Sequence, residues 1–419
     1  MQNAIVVLFF VLTYLGMAAG RLPWLQVDRT GIALIGVILL LVTQASDMDS
    51  LIGSIDPETL FLLFALMIIS AQFGAAGFVD LCVHRLMAVR AAPTVLLALT
   101  VAVTGALSAV LANDILLFGM TPLLIAGARR RGLDSRPFML ALAGAANAGS
   151  AATMIGNPQN IAIGQVGNLS FWTFLGACGV PAIVALVAVF GVVWFQWRRR
   201  MENIEVLPPN LPEVPIHPHD RIQSLKGVVA VVALLICFMT PFRPESGALL
   251  IAALLLASRK VTSRAMIAAV DWPLILLFAC LFAVTGALRD TGIPYQAIAT
   301  LRSHGLMPDN LTLLTPLTLL MSNTIGNVPS VILILQTWSD VTPEVLYGLA
   351  LLSSLAGNLL LVGSLANLIV VERAAAFGVR INFAEHARSG IPITLISMAF
   401  ALCWLAYWGW LPILPGGAD

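Results

Sequence analysis

Long apolar runs separated by short polar segments dominate the chain, and their lengths are the first guide to its fold. A bilayer core about 30 Å thick needs about 20 apolar residues in each helix that crosses it. The apolar runs lie at 4–20, 31–45, 59–77, 94–128, 138–168, 172–197, 226–241, 247–258, 273–289, 311–338, 345–371 and 390–411. The pattern predicts an all-α polytopic membrane protein.

Two of the runs are too long for one span, too short for two, and polar near the middle. The run 94–128 has its polar tip at Ala112-Asn113-Asp114, and the run 311–338 has its tip at Ser322 to Ser330. An apolar arm on each side of a polar tip is typical of a re-entrant helical hairpin. We expect each hairpin to enter and leave the membrane on the same side.

Two further runs, 138–168 and 345–371, are interrupted in the middle by Gly, Asn, Ser and, in the first, Pro. Non-helical backbone at membrane depth must line a cavity or be buried in protein. Gly permits such dihedral angles, and Pro ends a helix by removing a donor. The sequence therefore predicts broken transmembrane helices. The predicted break positions in these runs and the second hairpin tip are Gly149, Gly156, Pro158, Pro329, Gly357 and Gly363.

An internal repeat relates the two halves. Asp56 opens an apolar run that ends at Gly77, and Asp271 opens one that ends at Gly292, both at an offset of 215 residues. Further matches follow in the same order: Asn113 with Asn323, Gly149 with Gly357, Gly156 with Gly363 and Asn160 with Asn367. Because the hairpins open to opposite faces, the repeats are inverted, as in many secondary transporters. The predicted organisation is an N-terminal extra helix (1–29), repeat 1 (30–197), a cytoplasmic linker (198–225) and repeat 2 (226–411).

Composition then limits the class of protein, and the distribution of charge predicts its orientation in the membrane. Of 419 residues, 59% are hydrophobic and 10% charged, whereas soluble domains carry about 25% charged residues. This excludes a soluble enzyme and a nucleic-acid-binding protein. If the two hairpins return to their own side, 19 of the 22 Lys and Arg fall on one face, Arg29 among them. The positive-inside rule makes that face cytoplasmic, with residues 198–225 inside, both termini outside, and the plasma membrane (the inner membrane of a bacterium) as the location.

Asp114 is the one carboxylate that the pattern places inside a membrane segment. An acid at that depth costs about 2.5–3.5 kcal/mol on insertion scales and is by default a functional hypothesis. We expect no Lys or Arg at the same depth and every His in a loop. Asp114 should therefore be protonated or bind a cation, and it is our candidate ion-coupling residue.

Three short motifs carry a family resemblance. Ser322-Asn323-Thr324 resembles the hairpin signature of sodium-coupled dicarboxylate carriers, and the segments 156–160 and 363–367 resemble that family's unwound transport helices. The chain is thus similar to the ion-transporter superfamily of divalent-anion/sodium symporters, citrate transporters, arsenite exporters, NhaD-type antiporters and the melanosomal P protein. Asn113-Asp114 in the first hairpin is closer to the arsenite-exporter and antiporter branches, which favour proton coupling.

The resemblance implies a homodimer, elevator-like movement and a substrate site built from both halves. The implied substrate-binding residues are Asn113, Asn157, Asn160, Ser322, Asn323, Thr324, Asn327, Ser364 and Asn367. An implied Na⁺ site lies near Asn113, Asp114, Gly156, Asn323 and Gly363.

The leading hypothesis is a secondary active transporter of a small anion or oxyacid, such as a carboxylate or arsenite, driven by H⁺ or Na⁺. No Walker sequence is present, which argues against ATP drive within this chain, and no resident cofactor is expected. An anion channel and a Na⁺/H⁺ antiporter of the NhaD kind are alternatives. An intramembrane enzyme would need a nucleophile and base at depth, which the sequence does not offer.

Overall fold

The computed structural model describes residues 2–19, 27–201, 218–240, 243–338 and 340–414. Within these ranges the regular secondary structure is helical throughout, without a β-strand. The middle of the predicted linker, residues 202–217, lies outside the described residues.

In the described part of the first half there are ten helices, and most of them follow an Asp, Ser, Asn, Ala or Gly at the N-cap position. They are α1 (Gln2–Ala19), α2 (Arg29–Val42), α3 (Met48–Gly53), α4 (Pro57–Ala75), α5 (Phe78–Ala88), α6 (Pro93–Ser108), α7 (Asn113–Arg130), α8 (Arg136–Ser150), α9 (Pro158–Val166) and α10 (Phe171–Trp197).

The second half repeats this order. Its helices are α11 (Arg221–Met239), α12 (Pro244–Leu256), α13 (Ser263–Ala268), α14 (Trp272–Asp290), α15 (Ile293–Ser303), α16 (Leu311–Thr324), α17 (Asn327–Thr337), α18 (Pro343–Ala356), α19 (Leu365–Ala376) and α20 (Phe383–Tyr407), with a 3₁₀ turn at Leu361–Gly363 before α19.

Local chemistry explains why corresponding helices begin alike. Asp56 caps α4 and Asp271 caps α14, each accepting a hydrogen bond from a backbone N–H in the first turn. Gly77 and Gly292 precede α5 and α15 with φ of 63° and 76°, a left-handed conformation that Gly adopts without strain. The same start of helix and the same following turn therefore occur in both halves, because Asp and Gly stand at matched positions.

Among the described residues, six helices are long and apolar enough to cross a membrane, and they form three matched pairs: α1 with α11, α4 with α14, and α10 with α20. The protein is an integral membrane protein. The shorter apolar helices include α2 and α12, which also match.

The halves interlock through equivalent contacts. Helix α4 packs on α11 and α12 of the second half, and α14 packs on α1 and α2 of the first. The helix α1 thus has a counterpart in α11. This equivalence favours a first repeat that starts at α1 over the predicted boundary at residue 29.

The two hairpins and the two broken helices occur where the sequence predicts them. Helices α6 and α7 form the first hairpin and α16 and α17 the second, while α8 and α9, and α18 and α19, are the broken helices. The inverted-repeat fold is confirmed.

Candidate functional site

The two helix breaks are closed by a pair of equivalent asparagines. Asn160 Nδ2 donates to the carbonyls of Ser150 (3.2 Å) and Thr153 (3.0 Å), which lose their helical partners where α8 ends. Asn367 Nδ2 donates to the carbonyls of Gly357 (2.8 Å) and Leu360 (3.2 Å) in the second break. Both side chains are fully buried. They stabilise the non-helical backbone from behind.

The helix that follows each break starts with a capping side chain. Asn157 Oδ1 accepts from the Asn160 N–H (2.9 Å) at the start of α9, and Ser364 Oγ accepts from the Ala366 N–H (3.2 Å) at the start of α19. Pro158 follows Asn157 at the first helical position, where the missing N–H costs nothing.

Close contacts, with backbone in the first half and with side chains in the second, account for the glycines at the breaks. A Cβ on Gly149 would lie 2.3 Å from the carbonyl oxygen of Gly105, and one on Gly156 would lie 2.4 Å from that of Ser150. In the second half, a Cβ on Gly357 would meet the side chain of Asn327 at 2.7 Å, and one on Gly363 that of Asn323 at 2.5 Å. Each glycine allows a neighbour to approach more closely than any side chain would.

The structure matches the residues of the two hairpin tips differently from the internal repeat that the sequence predicts. Asn113 begins α7 and accepts a hydrogen bond from Ser108 Oγ. Asn327 begins α17, and with its amide nitrogen turned toward acceptors it donates to Ser322 Oγ at 3.2 Å. Both pairs are five residues apart, so the counterpart of Asn113 is Asn327, and the predicted match of Asn113 with Asn323 is wrong. Residue identity alone misled the alignment because Asn occurs twice in the second tip.

Asn323 and Thr324 lie on the first arm of the second hairpin, behind the tip. Asn323 Nδ2 donates to the carbonyls of Leu319 and Ala356, both at 3.0 Å, and its Oδ1 accepts from the Leu360 N–H at 3.1 Å. Thr324 is exposed and bonds within its own helix. Asn323 therefore braces the second break.

One cavity lies where the tips and the breaks meet. Four helix N-termini point into it, those of α7, α9, α17 and α19. Its lining consists of Arg29, Asn113, Asp114, Asn147, Asn157, Pro158, Gln159, Leu277, Asn327, Val328, Pro329, Ser364, Leu365 and Ala366. The structure thus brings Asn113, Asp114, Asn157, Asn327 and Ser364 together. Asn160, Ser322, Asn323, Thr324 and Asn367 stand outside this lining.

Convergence of four N-termini gives the cavity a positive potential. Each helix N-terminus carries the equivalent of about half a positive charge on its unpaired N–H groups, and such ends bind anions readily. The starts of α7 and α17 carry no side-chain cap. Their first N–H groups are therefore available to a solute.

Asp114 lies in the first turn of α7 and lines this cavity. Among the described residues it has neither a hydrogen-bond partner nor an ion-pair partner for its carboxylate. A carboxylate at a helix N-terminus is stabilised by the helix dipole, yet here it faces the space that a solute would occupy.

Arg29 is a cavity residue that the sequence reasoning missed. We expected no Lys or Arg at the depth of Asp114, yet the Arg29 side chain lines the same cavity, and its Nη2 donates to the carbonyl of Val362 at 3.2 Å. A signal was present in the length of α2, because its 14 residues span only about 21 Å. A helix that short cannot cross a bilayer core of about 30 Å, so one end must lie at depth.

His386 corrects a second expectation, that every His lies in a loop. It is buried in the first turn of α20, and its Nε2 lies 3.4 Å from Asn367 Nδ2. The second break is therefore backed by an imidazole as well as by Asn367.

The residues named for a Na⁺ site separate into two groups. Asn113 and Asp114 lie at the first hairpin tip and Gly156 at the first break, whereas Asn323 and Gly363 adjoin each other at the second break. No cluster of three or more His, Cys, Asp or Glu occurs within the ranges that the structure describes. The Na⁺ site stays a prediction.

Comparison with known proteins agrees with this architecture. Residues 7–344 match the family model described as "Citrate transporter". A "46 kDa membrane protein" of Mycobacterium leprae is 28% identical over 97% of this chain and 99% of its own length. The rice "Silicon efflux transporter LSI3" is 28% identical over 91% of this chain and 93% of its own length.

A solved structure has the same fold. The YdaH transporter of Alcanivorax borkumensis superimposes with a TM-score of 0.57 over 99% of this chain and 100% of its own, at 13% sequence identity. Together, the family model that covers most of the chain, the inverted repeats and the paired helix breaks establish that this protein belongs to the citrate-transporter family of membrane transporters.

Proposed function

We propose that this protein is a secondary active transporter that moves a small anion or oxyacid across the plasma membrane, driven by H⁺ or Na⁺. The single observation that carries the proposal is the cavity where four helix N-termini, Asp114 and Arg29 meet. Such a site offers N–H donors to the oxygens of a solute and a carboxylate to a coupling ion.

The chemistry of the lining supports an oxygen-rich solute. Uncapped N–H groups at the starts of α7 and α17 donate hydrogen bonds, and the amides of Asn113, Asn147 and Asn157 can donate and accept. A carboxylate, an oxyanion or a neutral hydroxide would each find partners here. The name of the rice relative, a silicon efflux transporter, brings silicic acid into the test set.

Asp114 is the proposed coupling residue. Because its carboxylate has no protein partner among the described residues, its charge at this depth can be balanced by a proton or by a bound cation. If that ion and the solute bind together, the gradient of the ion drives the movement of the solute.

Contacts between two bodies of helices support the proposed elevator movement. Helices α6–α10 and α16–α20 pack together around the cavity. The surrounding helices contact this inner body through scattered hydrogen bonds. Among them, Tyr14 Oη on α1 donates to the carbonyl of Pro329 at 3.4 Å, Arg29 Nη2 on α2 donates to that of Val362 at 3.2 Å, and Ser70 Oγ on α4 accepts from the Ala112 N–H at 2.8 Å. Movement of the inner body against the outer one would exchange these hydrogen bonds, and we propose that the outer body forms a homodimer.

The test is flux into liposomes that contain the purified protein. Citrate, phosphate, arsenous acid and silicic acid are offered under an imposed pH gradient, Na⁺ gradient or neither. We expect at least one solute to accumulate against its own gradient under one of the ion gradients, with saturation. Flux that never runs uphill would show an anion channel instead, and Na⁺ movement against H⁺ without any solute would show an antiporter.

The orientation is tested separately by fusing reporters to the C-terminus. If both termini are external, alkaline phosphatase fused after residue 414 should be active and a fluorescent protein at the same place dark. The reverse result would contradict the proposed topology.

A further inference from the structure

Arg29 is the cationic side chain in the cavity lining, and it comes from outside the hairpins and the broken helices. It is the first residue of α2, where Asp28 caps the helix by accepting from the Gly31 N–H at 2.8 Å. The cap fixes the backbone at Arg29, and the half-buried side chain reaches the second hairpin and the second break.

The approach of the guanidinium to the second hairpin is unusually close. A Cβ on Gly326 would lie 2.8 Å from Arg29 Nη1, and Gly326 has φ of 97°. The positive φ favours Gly at this position, and the missing Cβ leaves room for the end of the Arg29 side chain. The guanidinium of Arg29 therefore lies against the start of α17.

The charge of Arg29 is uncompensated within the described residues. Among the residues that the structure describes, its one hydrogen bond goes to the neutral carbonyl of Val362, and no acid lies within 4.0 Å of its guanidinium. A guanidinium has five N–H donors, so most of them remain available. Asp114 lines the same cavity and is not paired with it.

A half-buried, unpaired guanidinium beside four positive helix ends needs a negative partner. We propose that Arg29 binds an anionic oxygen of the transported solute and so selects a charged oxyanion or carboxylate over a neutral hydroxide. This inference rests on the proposed transport function and deepens it. Arg29 is suited to the role because a guanidinium can hold two oxygens of a carboxylate or oxyanion at once.

The test compares solutes of similar tetrahedral shape and different charge. Uptake of phosphate, which is anionic at pH 7, and of silicic acid, which is neutral, is measured in liposomes that contain wild type, Arg29→Gln or Arg29→Lys. Citrate serves as a second anion. We expect Arg29→Gln to raise the half-saturating concentration of the anions by about tenfold or more, and that of silicic acid by less than about twofold. Arg29→Lys should restore part of the anion affinity, because it keeps the charge but not the paired donors.

Arg302→Gln is the matched control, because Arg302 is exposed and paired with Asp340 at 2.6 Å, away from the cavity. It should leave both classes of solute unchanged. If Arg29→Gln elutes as a folded protein and keeps the wild-type ratio of anion to silicic-acid affinity, the role assigned to Arg29 is wrong although transport itself stands. If the wild-type protein transports none of these solutes, the result contradicts the proposed transport function itself.

Discussion

Asn147 in α8 and Ser354 in α18 occupy equivalent positions 207 residues apart, and each reaches into the helix break of the opposite half. Asn147 Nδ2 donates to Asn367 Oδ1 at 3.0 Å, while Ser354 Oγ donates to Asn160 Oδ1 at 3.3 Å. The asparagine that closes each break is thus held by the partner helix. The two breaks form one reciprocal network, which fixes the geometry of the cavity between them.

We expect Asn160→Ala and Asn367→Ala to destabilise the folded protein by similar amounts. Each removes two hydrogen bonds to carbonyls that then have no partner in a buried site, at a cost of about 1–3 kcal/mol for each unsatisfied group. The melting temperature of the purified protein in detergent measures the effect. Asn3→Ala, on the exposed face of α1, is the matched control; equal melting temperatures for all three variants would refute the bracing role.

Gly149→Ala should be far more damaging than Gly191→Ala. A Cβ at Gly149 would lie 2.3 Å from the Gly105 carbonyl oxygen, so α6 and α8 would have to separate, whereas a Cβ at Gly191 in α10 meets nothing within 4 Å. Gly191→Ala should be neutral or stabilise by up to about 1 kcal/mol, because Ala favours helix. The yield of monodisperse protein and its melting temperature compare the two. A well-folded Gly149→Ala variant would mean that the first hairpin is not pressed against α8.

Asp114→Asn should abolish uptake driven by an ion gradient and retain exchange of solute for solute. The amide keeps the size of the side chain but cannot take up a proton or balance a cation. Uphill uptake and counterflow are measured in the same liposomes. Normal uphill uptake by Asp114→Asn would remove this residue from the coupling step.

Asp114→Glu serves as the companion variant. It keeps the carboxylate with one further methylene and should retain a fraction of the coupled uptake. Loss of counterflow in both variants would point to a structural role for Asp114 instead.

Asn113→Ala and Asn327→Ala should both raise the half-saturating solute concentration, because these residues start α7 and α17 at the cavity. Asn323→Ala should chiefly lower the melting temperature, since its amide is occupied by the backbone of the second break. Titration of uptake against solute concentration separates the two effects. If Asn323→Ala weakens solute binding as much as Asn327→Ala without loss of stability, Asn327 is not the counterpart of Asn113.

The second hairpin and both breaks were recognisable in the sequence because their cause is local. Apolar arms around a polar tip, and Gly and Pro inside an apolar run, have few other solutions in a membrane. The correct partner of Asn113 was not recognisable in the same way. Two asparagines in the second tip lie four residues apart, at Asn323 and Asn327, and only the helix ends show that α17 starts at the latter.

Arg29 shows the limit of reasoning from charge patterns. Its position in the sequence groups Arg29 with the Lys and Arg residues that the positive-inside rule assigns to the cytoplasmic face. Its place in the cavity depends on the short α2 lying beside α14 and on Gly326, almost 300 residues along the chain, leaving room for the guanidinium. No periodicity in the sequence encodes that approach.

The sequence by itself determined that this is an integral membrane protein, that it consists of two related halves, and where its helices break. These follow from apolar length and from residues that cannot continue a helix, both of which act over a few turns. The tertiary structure alone decided which polar groups share the cavity, that Arg29 joins Asp114 there, and that Asn160 and Asn367 serve as braces. Those relations arise from packing between helices distant in sequence, whose contacts depend on three-dimensional shape and not on spacing along the chain.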